Sequence, residues 1–531
     1  MRLRFLSSWL LAACILTVAC GAQVSVTTHH NDNARTGQNT QETILTPANV
    51  NSTQFGKVFT YRVDGNVYAQ PLVLTNITIP GKGVHNVLYI ATEHDSVYAW
   101  DADHNRGINS MPLWKVSFLN AAQNITVVPS DDISCSDLVP EVGITGTPVI
   151  DAATGTLYLV AKTRERGRYT QKLHALDVAT GAEKFGGPVT IEASVAGSGA
   201  GSSNGMVRFD PFRQAQRPGL LLQNGAVYIG WASHCDIGPY HGWVMTYGAQ
   251  SLQQTGVWLS TPNGDLGGVW AAGEGLPGDG LGNVYPTTGN GSFSAHAGGL
   301  DYGDSIVKLS LNYTGLALTD YFTPYDEGYL SSVDLDLGSG GAILPPDQPE
   351  GAAHRHLLLH AGKEGTIYLI DRDHLGGFGF TNNGQIIQSL NLAVGGMWAA
   401  PAWWNNRAYF GGSSDYMKMY TFDPYTGMLS SSPASVSPTF YGFPGPTPSV
   451  SANGNRDGIV WALQNDGYGN TSTVLHAYRA EDLSKELYNT QQNATRDDPG
   501  GAIKFSVPTI ANGKVYVGTS TQVSVYGLLP R

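Results

Sequence analysis

Short runs of β-branched and aromatic residues, alternating with polar positions at a period of two, recur along almost the whole chain and are punctuated by Gly, Asn, Asp and Pro. One unit runs from Val87-Leu88-Tyr89-Ile90 to Tyr98-Ala99-Trp100-Asp101, and a second from Leu157-Tyr158-Leu159-Val160 to His174-Ala175-Leu176-Asp177. Further copies begin at Val227-Tyr228-Ile229-Gly230, Val284-Tyr285, Leu357-Leu358-Leu359, Ala408-Tyr409-Phe410-Gly411, Ile459-Val460-Trp461 and Val515-Tyr516-Val517-Gly518, making eight units. Each unit predicts a small antiparallel sheet. One such sheet cannot bury both of its faces, but eight packed radially can, so the pattern predicts an all-β, eight-bladed β-propeller. No long stretch with a 3.6-residue period is present.

The last unit, Pro508 to Tyr526, supplies three strands and stops, while residues 55–62 form an orphan strand ahead of the first unit. Pairing the two completes a four-stranded blade and removes an exposed edge, so the ring is expected to close there. No linker divides the chain, and residues 23–531 read as one propeller domain.

Composition narrows the setting. Met1-Arg2-Leu3-Arg4 followed by an apolar stretch too short to span a bilayer reads as a secretory signal over residues 1–22, with Cys20-Gly21-Ala22 as a small-residue cleavage site. Leu11-Ala12-Ala13-Cys14 offers a lipobox-like alternative, so anchoring as a lipoprotein stays open. The protein is therefore expected to be exported, to the periplasm or beyond the cell, with no transmembrane segment. A net charge of −12 without a basic run argues against nucleic acid as a partner. Past the signal only Cys135 and Cys235 remain, and in an oxidising compartment they are expected to pair. His29-His30, near the expected mature terminus, read as a polar tail. No His-Glu-x-x-His, P-loop or Cys-x-x-Cys-His sequence is present.

Four islands carry candidate chemistry: Val269-Trp270, Thr288-Gly289-Asn290-Gly291, Asp334-Leu335-Asp336 and Gly362-Lys363-Glu364-Gly365. They supply an aromatic plate, a neutral oxygen donor, a carboxylate pair and a cation. If residues 334–336 are extended, the two carboxylates share a face and can approach one cation together. Their order and spacing, with the Ala-x-Asp-x-x-Thr-Gly turn at residues 175–181, resemble the PQQ-repeat propellers and, among them, the quinoprotein alcohol and methanol dehydrogenases. The segment from Asn31 to Val50 also resembles the opening of those dehydrogenases.

That resemblance implies pyrroloquinoline quinone (PQQ) with calcium or a lanthanide as cofactors. Trp270 would lie under the quinone, and Lys363 would donate to its oxygens. Asn290, Asp334, Asp336 and, in place of the family's Glu, Asp236 would face the metal, with Asp334 as the catalytic base; Glu141 is a rival carboxylate. The implied substrate is a small alcohol or sugar, and the electrons would pass to a separate acceptor such as a cytochrome c. Three departures stand against the pattern: the family's adjacent cysteines are missing, Asp replaces Glu, and extra residues separate Glu327 from Asp334. They leave a second reading, a propeller without cofactor that serves as a binding or assembly platform in the cell envelope.

Overall fold

A computed structural model describes residues 23–530. The expected signal segment, residues 1–22, lies outside the described residues.

The period-two pattern folds as eight small sheets in chain order. The first blade orders Leu72–Ile79, Gly83–Ala91, Ser96–Asp101 and Trp114–Ser117. The second orders Val149–Asp151, Thr156–Glu165, Arg168–Asp177 and Val189–Thr190, and the third Leu221–Gln223, Ala226–Ser233, Trp243–Gly248 and Gln254–Leu259. The fourth is built on Ile306–Asn312 and Gly315–Thr323, the fifth on Leu357–Ala361 and Ile367–Asp371, and the sixth on Arg407–Phe410 and Asp415–Asp423. Arg456–Gln464 and Val474–Arg479 form the heart of the seventh blade, and Lys514–Thr519 with Gln522–Leu528 that of the eighth. Phe55–Arg62 pairs antiparallel with Gln522–Leu528, Phe55 opposite Leu528 and Arg62 opposite Gln522, as the fourth strand of the last blade. Among the described residues helices are short, the longest α-helix being Glu327–Ser332.

Successive blades share apolar clusters. Tyr158, Val160 and Val227 join the second blade to the third, and Tyr228, Val284 and Val307 join the third to the fourth. Tyr516, Val523 and Val525 of the eighth blade pack with Leu72, Leu88 and Tyr89 of the first. In four blades a tyrosine of the second strand also makes a directional link. The hydroxyls of Tyr89, Tyr158, Tyr409 and Tyr516 each donate, at 2.8–2.9 Å, to a backbone carbonyl beside a turn in the following blade: Val178, Ala249, Ala480 and Ala102. Burying these rings is favourable only because each hydroxyl keeps a partner.

The Asp-x-x-Thr-Gly motif has a local cause. Asp177 accepts from Thr180 Oγ1 (2.9 Å) and the Ala179 N–H (3.1 Å), while Gly181 adopts the left-handed region at φ +73. A Cβ at Gly181 would sit 2.8 Å from Trp114 of the preceding blade, so the turn also fixes how closely the two blades approach.

Cys135 and Cys235 are joined, closing a separation of 100 residues between an insertion ahead of the second blade and the loop after Ala226–Ser233. Cys135→Ser is expected to lower the unfolding free energy by roughly 2–5 kcal/mol in urea denaturation under non-reducing conditions. Mass analysis of unreduced peptides showing two free thiols would contradict the pairing.

The first described residues do not form a polar tail. His29, His30 and Arg35 are buried, and Gln38–Asn39 adds a parallel strand to Ser449–Asn453 of the seventh blade. Arg35 spends its guanidinium on the carbonyls of His29, Leu220 and Leu276 and on Thr28 Oγ1, at 2.6–3.0 Å. His30 Nδ1 lies 2.9 Å from Glu274, and His29 Nδ1 lies 2.9 Å from Thr147 Oγ1. The expectation for His29-His30 is corrected by tertiary burial, which a polar stretch of sequence gives no sign of.

Candidate functional site

Gly267 at φ +70 turns the chain after the third blade and delivers Trp270 to a central cavity of about 120 Å³. The Trp270 ring meets Tyr240 edge-on at 6.3 Å and lies so close to Gly289 that a Cβ there would come within 2.9 Å of it. Only glycine lets the Thr288-Gly289-Asn290 turn pass beside the indole.

That turn places Asn290 against the carboxylate pair. The Asn290 N–H donates to Asp336 Oδ1 at 3.0 Å, and its Nδ2 donates to Asp334 Oδ1 at 2.9 Å. Its own Oδ1 is buried without a hydrogen-bond partner among the described residues.

The residues between Glu327 and Asp334 are absorbed by the short helix Glu327–Ser332, whose end turns through Asp334 at φ +60. Residues 334–336 are therefore not extended as expected, and Asp336 instead precedes the helical turn Leu337–Ser339. The two carboxylates still converge, because Lys363 bridges them: its Nζ lies 2.8 Å from Asp334 Oδ1 and 3.0 Å from Asp336 Oδ2. The Lys363 N–H also donates to the Asp336 carbonyl at 2.9 Å, which ties the two loops together.

The electrostatics follow from burial. Burial pushes the Asp336 carboxyl up despite the Lys363 ammonium beside it. For Lys363, burial pulls down, but the Asp336 and Asp334 charges outweigh it and raise the ammonium. Asp334 differs from both: its side chain is 73 % exposed.

Asp236 lines the same cavity as Trp270, Asp336 and Lys363, and it accepts from the Tyr240 hydroxyl at 2.6 Å. Glu141 is placed elsewhere, on the strand Glu141–Val142, with Oε1 2.9 Å from His94 Nδ1.

Several lining residues had no signal in the sequence. Arg217, Asp137, Trp398, Phe443 and Phe505 reach the cavity from separate blades. Asp304 is buried one layer behind the site, with Oδ1 accepting from the Leu337 N–H at 2.9 Å and Oδ2 unpartnered among the described residues. Burial, then the nearby Asp336 and Glu327 charges, push its carboxyl well above the usual range despite that N–H.

Two carboxylates, Asp334 and Asp336, and the unpartnered Asn290 oxygen beside one ammonium form a donor set suited to a hard, oxygen-seeking cation. The Trp270 indole beside it suits a flat conjugated ring. By donor chemistry these residues fit a quinone with a bound cation.

No protein-family model matches the chain, and no curated protein matches it in sequence. Solved structures do match. The quinohemoprotein alcohol dehydrogenase ADHIIG of Pseudomonas putida HK5 superposes with a TM-score of 0.62 at 15 % identity, covering 96 % of this chain and 82 % of its own. The quinohemoprotein alcohol dehydrogenase of Comamonas testosteroni gives 0.59 at 15 % identity, with 96 % and 81 % covered. A europium-containing methanol dehydrogenase gives 0.55 at 14 % identity, with 95 % and 98 % covered. The chain is an eight-bladed propeller that shares its fold with the quinohemoprotein alcohol dehydrogenases and the europium-containing methanol dehydrogenase.

Proposed function

We propose that the chain is an exported quinoprotein-type oxidoreductase acting on the hydroxyl of a small alcohol or sugar. The observation that carries this reading is that Asn290 and Lys363 each lie within hydrogen-bond distance of both Asp334 and Asp336, beside a cavity that Trp270 lines. Trp270 would be the plate for the cofactor, and Asn290 Oδ1, Asp334 and Asp336 would hold the cation; Asp236, one methylene shorter than the expected Glu, would need a bridging water or a backbone shift to take part. Pyrroloquinoline quinone, when bound, supplies the two-electron acceptor, and calcium or a lanthanide ion supplies Lewis acidity.

The remaining work belongs to this chain. Asp334, whose side chain is largely exposed, takes the substrate's hydroxyl proton. The Lys363 ammonium, kept protonated by Asp336 and Asp334, stabilises negative charge that develops beside it. The electrons leave to a separate acceptor such as a cytochrome c.

A second reading, a cofactor-free platform in the cell envelope, draws on the same geometry: Lys363 already sits between the carboxylates and neutralises them. Incubating purified protein with PQQ and either calcium or lanthanum, followed by desalting, separates the two. A retained quinone absorption that depends on the metal is expected. Quinone lost entirely in both metals would leave the platform reading.

A further inference from the structure

Three hollows meet at the centre of the propeller. The Trp270–Lys363 cavity shares Arg217 and Phe505 with a small recess lined by His29, Thr147 and Glu274. It shares Asp137 with an outer groove of about 510 Å³, lined by Lys504 and Tyr468, and Tyr68 borders both the recess and the groove. Arg217 and Tyr68 thus stand where all three join.

The two ends of this chamber differ in their cations. At one end Asp334 and Asp336, with Asp236 nearby, face the single ammonium of Lys363. At the other stand two cations, Arg217 and Lys504; Lys504 takes Asp137 at 3.0 Å, and Arg217 feels the charges of Asp137 and the buried Glu93 without a direct contact to either. Arg217 stacks over the Phe505 ring, 4.5 Å from its centroid, and makes no hydrogen bond or ion pair within 4 Å among the described residues. The Tyr68 hydroxyl likewise has no hydrogen-bond partner among the described residues, although burial pushes its pKa up and so keeps it a donor. A largely buried guanidinium fork with unused N–H donors, stacked on an aromatic face beside a free phenol, is the chemistry that binds a planar anion through two parallel hydrogen bonds.

We propose that Arg217, with Tyr68 beside it, forms a carboxylate-binding subsite, so that the chamber takes an organic acid rather than a neutral alcohol. Joined to the oxidation proposed above, on which this one step rests, it makes the substrate a hydroxy acid.

The test uses the full-length protein without cofactor, titrated at constant ionic strength with glycolate and, as an uncharged analogue of similar size, ethylene glycol. Glycolate is expected to bind and raise the melting temperature, and ethylene glycol to do neither. Arg217→Gln is expected to weaken glycolate by about tenfold or more, with Arg217→Lys and Tyr68→Phe losing less. Binding is read without cofactor or turnover, so failure of the oxidation reading stays distinguishable from failure of the subsite. Should Arg217→Gln not fold, Arg217→Lys carries the comparison. A second titration after loading with PQQ decides the source of the carboxylate. Binding that persists assigns the subsite to the substrate; binding that is lost assigns it to the acid groups of the quinone and overturns the hydroxy-acid step. Equal response to both probes, or glycolate affinity unchanged by loss of the guanidinium, overturns the subsite itself.

Discussion

Asp334→Ala is expected to lower dye-linked alcohol oxidation by the PQQ-loaded protein by about 10²–10⁴-fold, the usual worth of a positioned general base. The fold should survive, because the side chain is 73 % exposed and Lys363 keeps its 3.0 Å partner in Asp336. Ala at φ +60 adds a modest backbone cost of about 1–2 kcal/mol. Asp334→Asn is the sharper variant, since it preserves shape and tolerates the left-handed conformation while removing the basic oxygen. Steady-state turnover with both variants, alongside their melting curves, decides the matter: turnover equal to wild type would remove Asp334 from the role of base.

The second large effect is on stability and lies away from the site. Glu274 is the buried counter-charge to His30, at 2.9 Å, and to the buried Arg35. Glu274→Ala removes the stronger of the two carboxylate charges acting on that guanidinium, leaving Asp32, and is expected to cost about 3–5 kcal/mol in urea denaturation. The pH dependence has a definite sign. Burial pulls the His30 pKa down, but Glu274 more than offsets it and the net shift is upward from 6.5. The pair's contribution is therefore present in full below about pH 6.5, the unfolded value, and is lost as pH rises through the higher folded value. His29, which is lowered by burial and by His30, pulls in the opposite direction, so the informative quantity is the difference between wild type and Glu274→Gln. That difference should be larger at pH 5.5 than at pH 8; a difference that grows with pH would refute the assignment.

The fold was legible because its signal repeats. Period-two runs ending in an Asp turn occur often enough to count blades, and residues 55–62 stood out as a strand lacking a partner. The site was legible only where it sits on turns with their own sequence character, as at Thr288-Gly289-Asn290 and Gly362-Lys363. Arg217, Asp137 and Phe505 come from loops in three different parts of the chain, and nothing local marks a residue that becomes significant only when distant loops meet. Asp334 and Asp336 were correctly paired for an incorrect reason. A helical turn and a left-handed residue bring them together, where pleating was expected. The buried His29, His30 and Arg35 were missed because burial of a polar stretch is a tertiary event.

The thread of residues 24–39 also bears on the order in which the molecule is made. Val24 bonds to Asn512 across 488 positions, His30 to the Pro448 carbonyl across 418, and Asn39 to the Ile510 carbonyl across 471. Contacts so remote in sequence form slowly, since a very long loop must close before they stabilise anything. The residues synthesised first among these must therefore wait, unsatisfied, until the last blades exist, and the centre of the ring is finished only when its beginning finds its end.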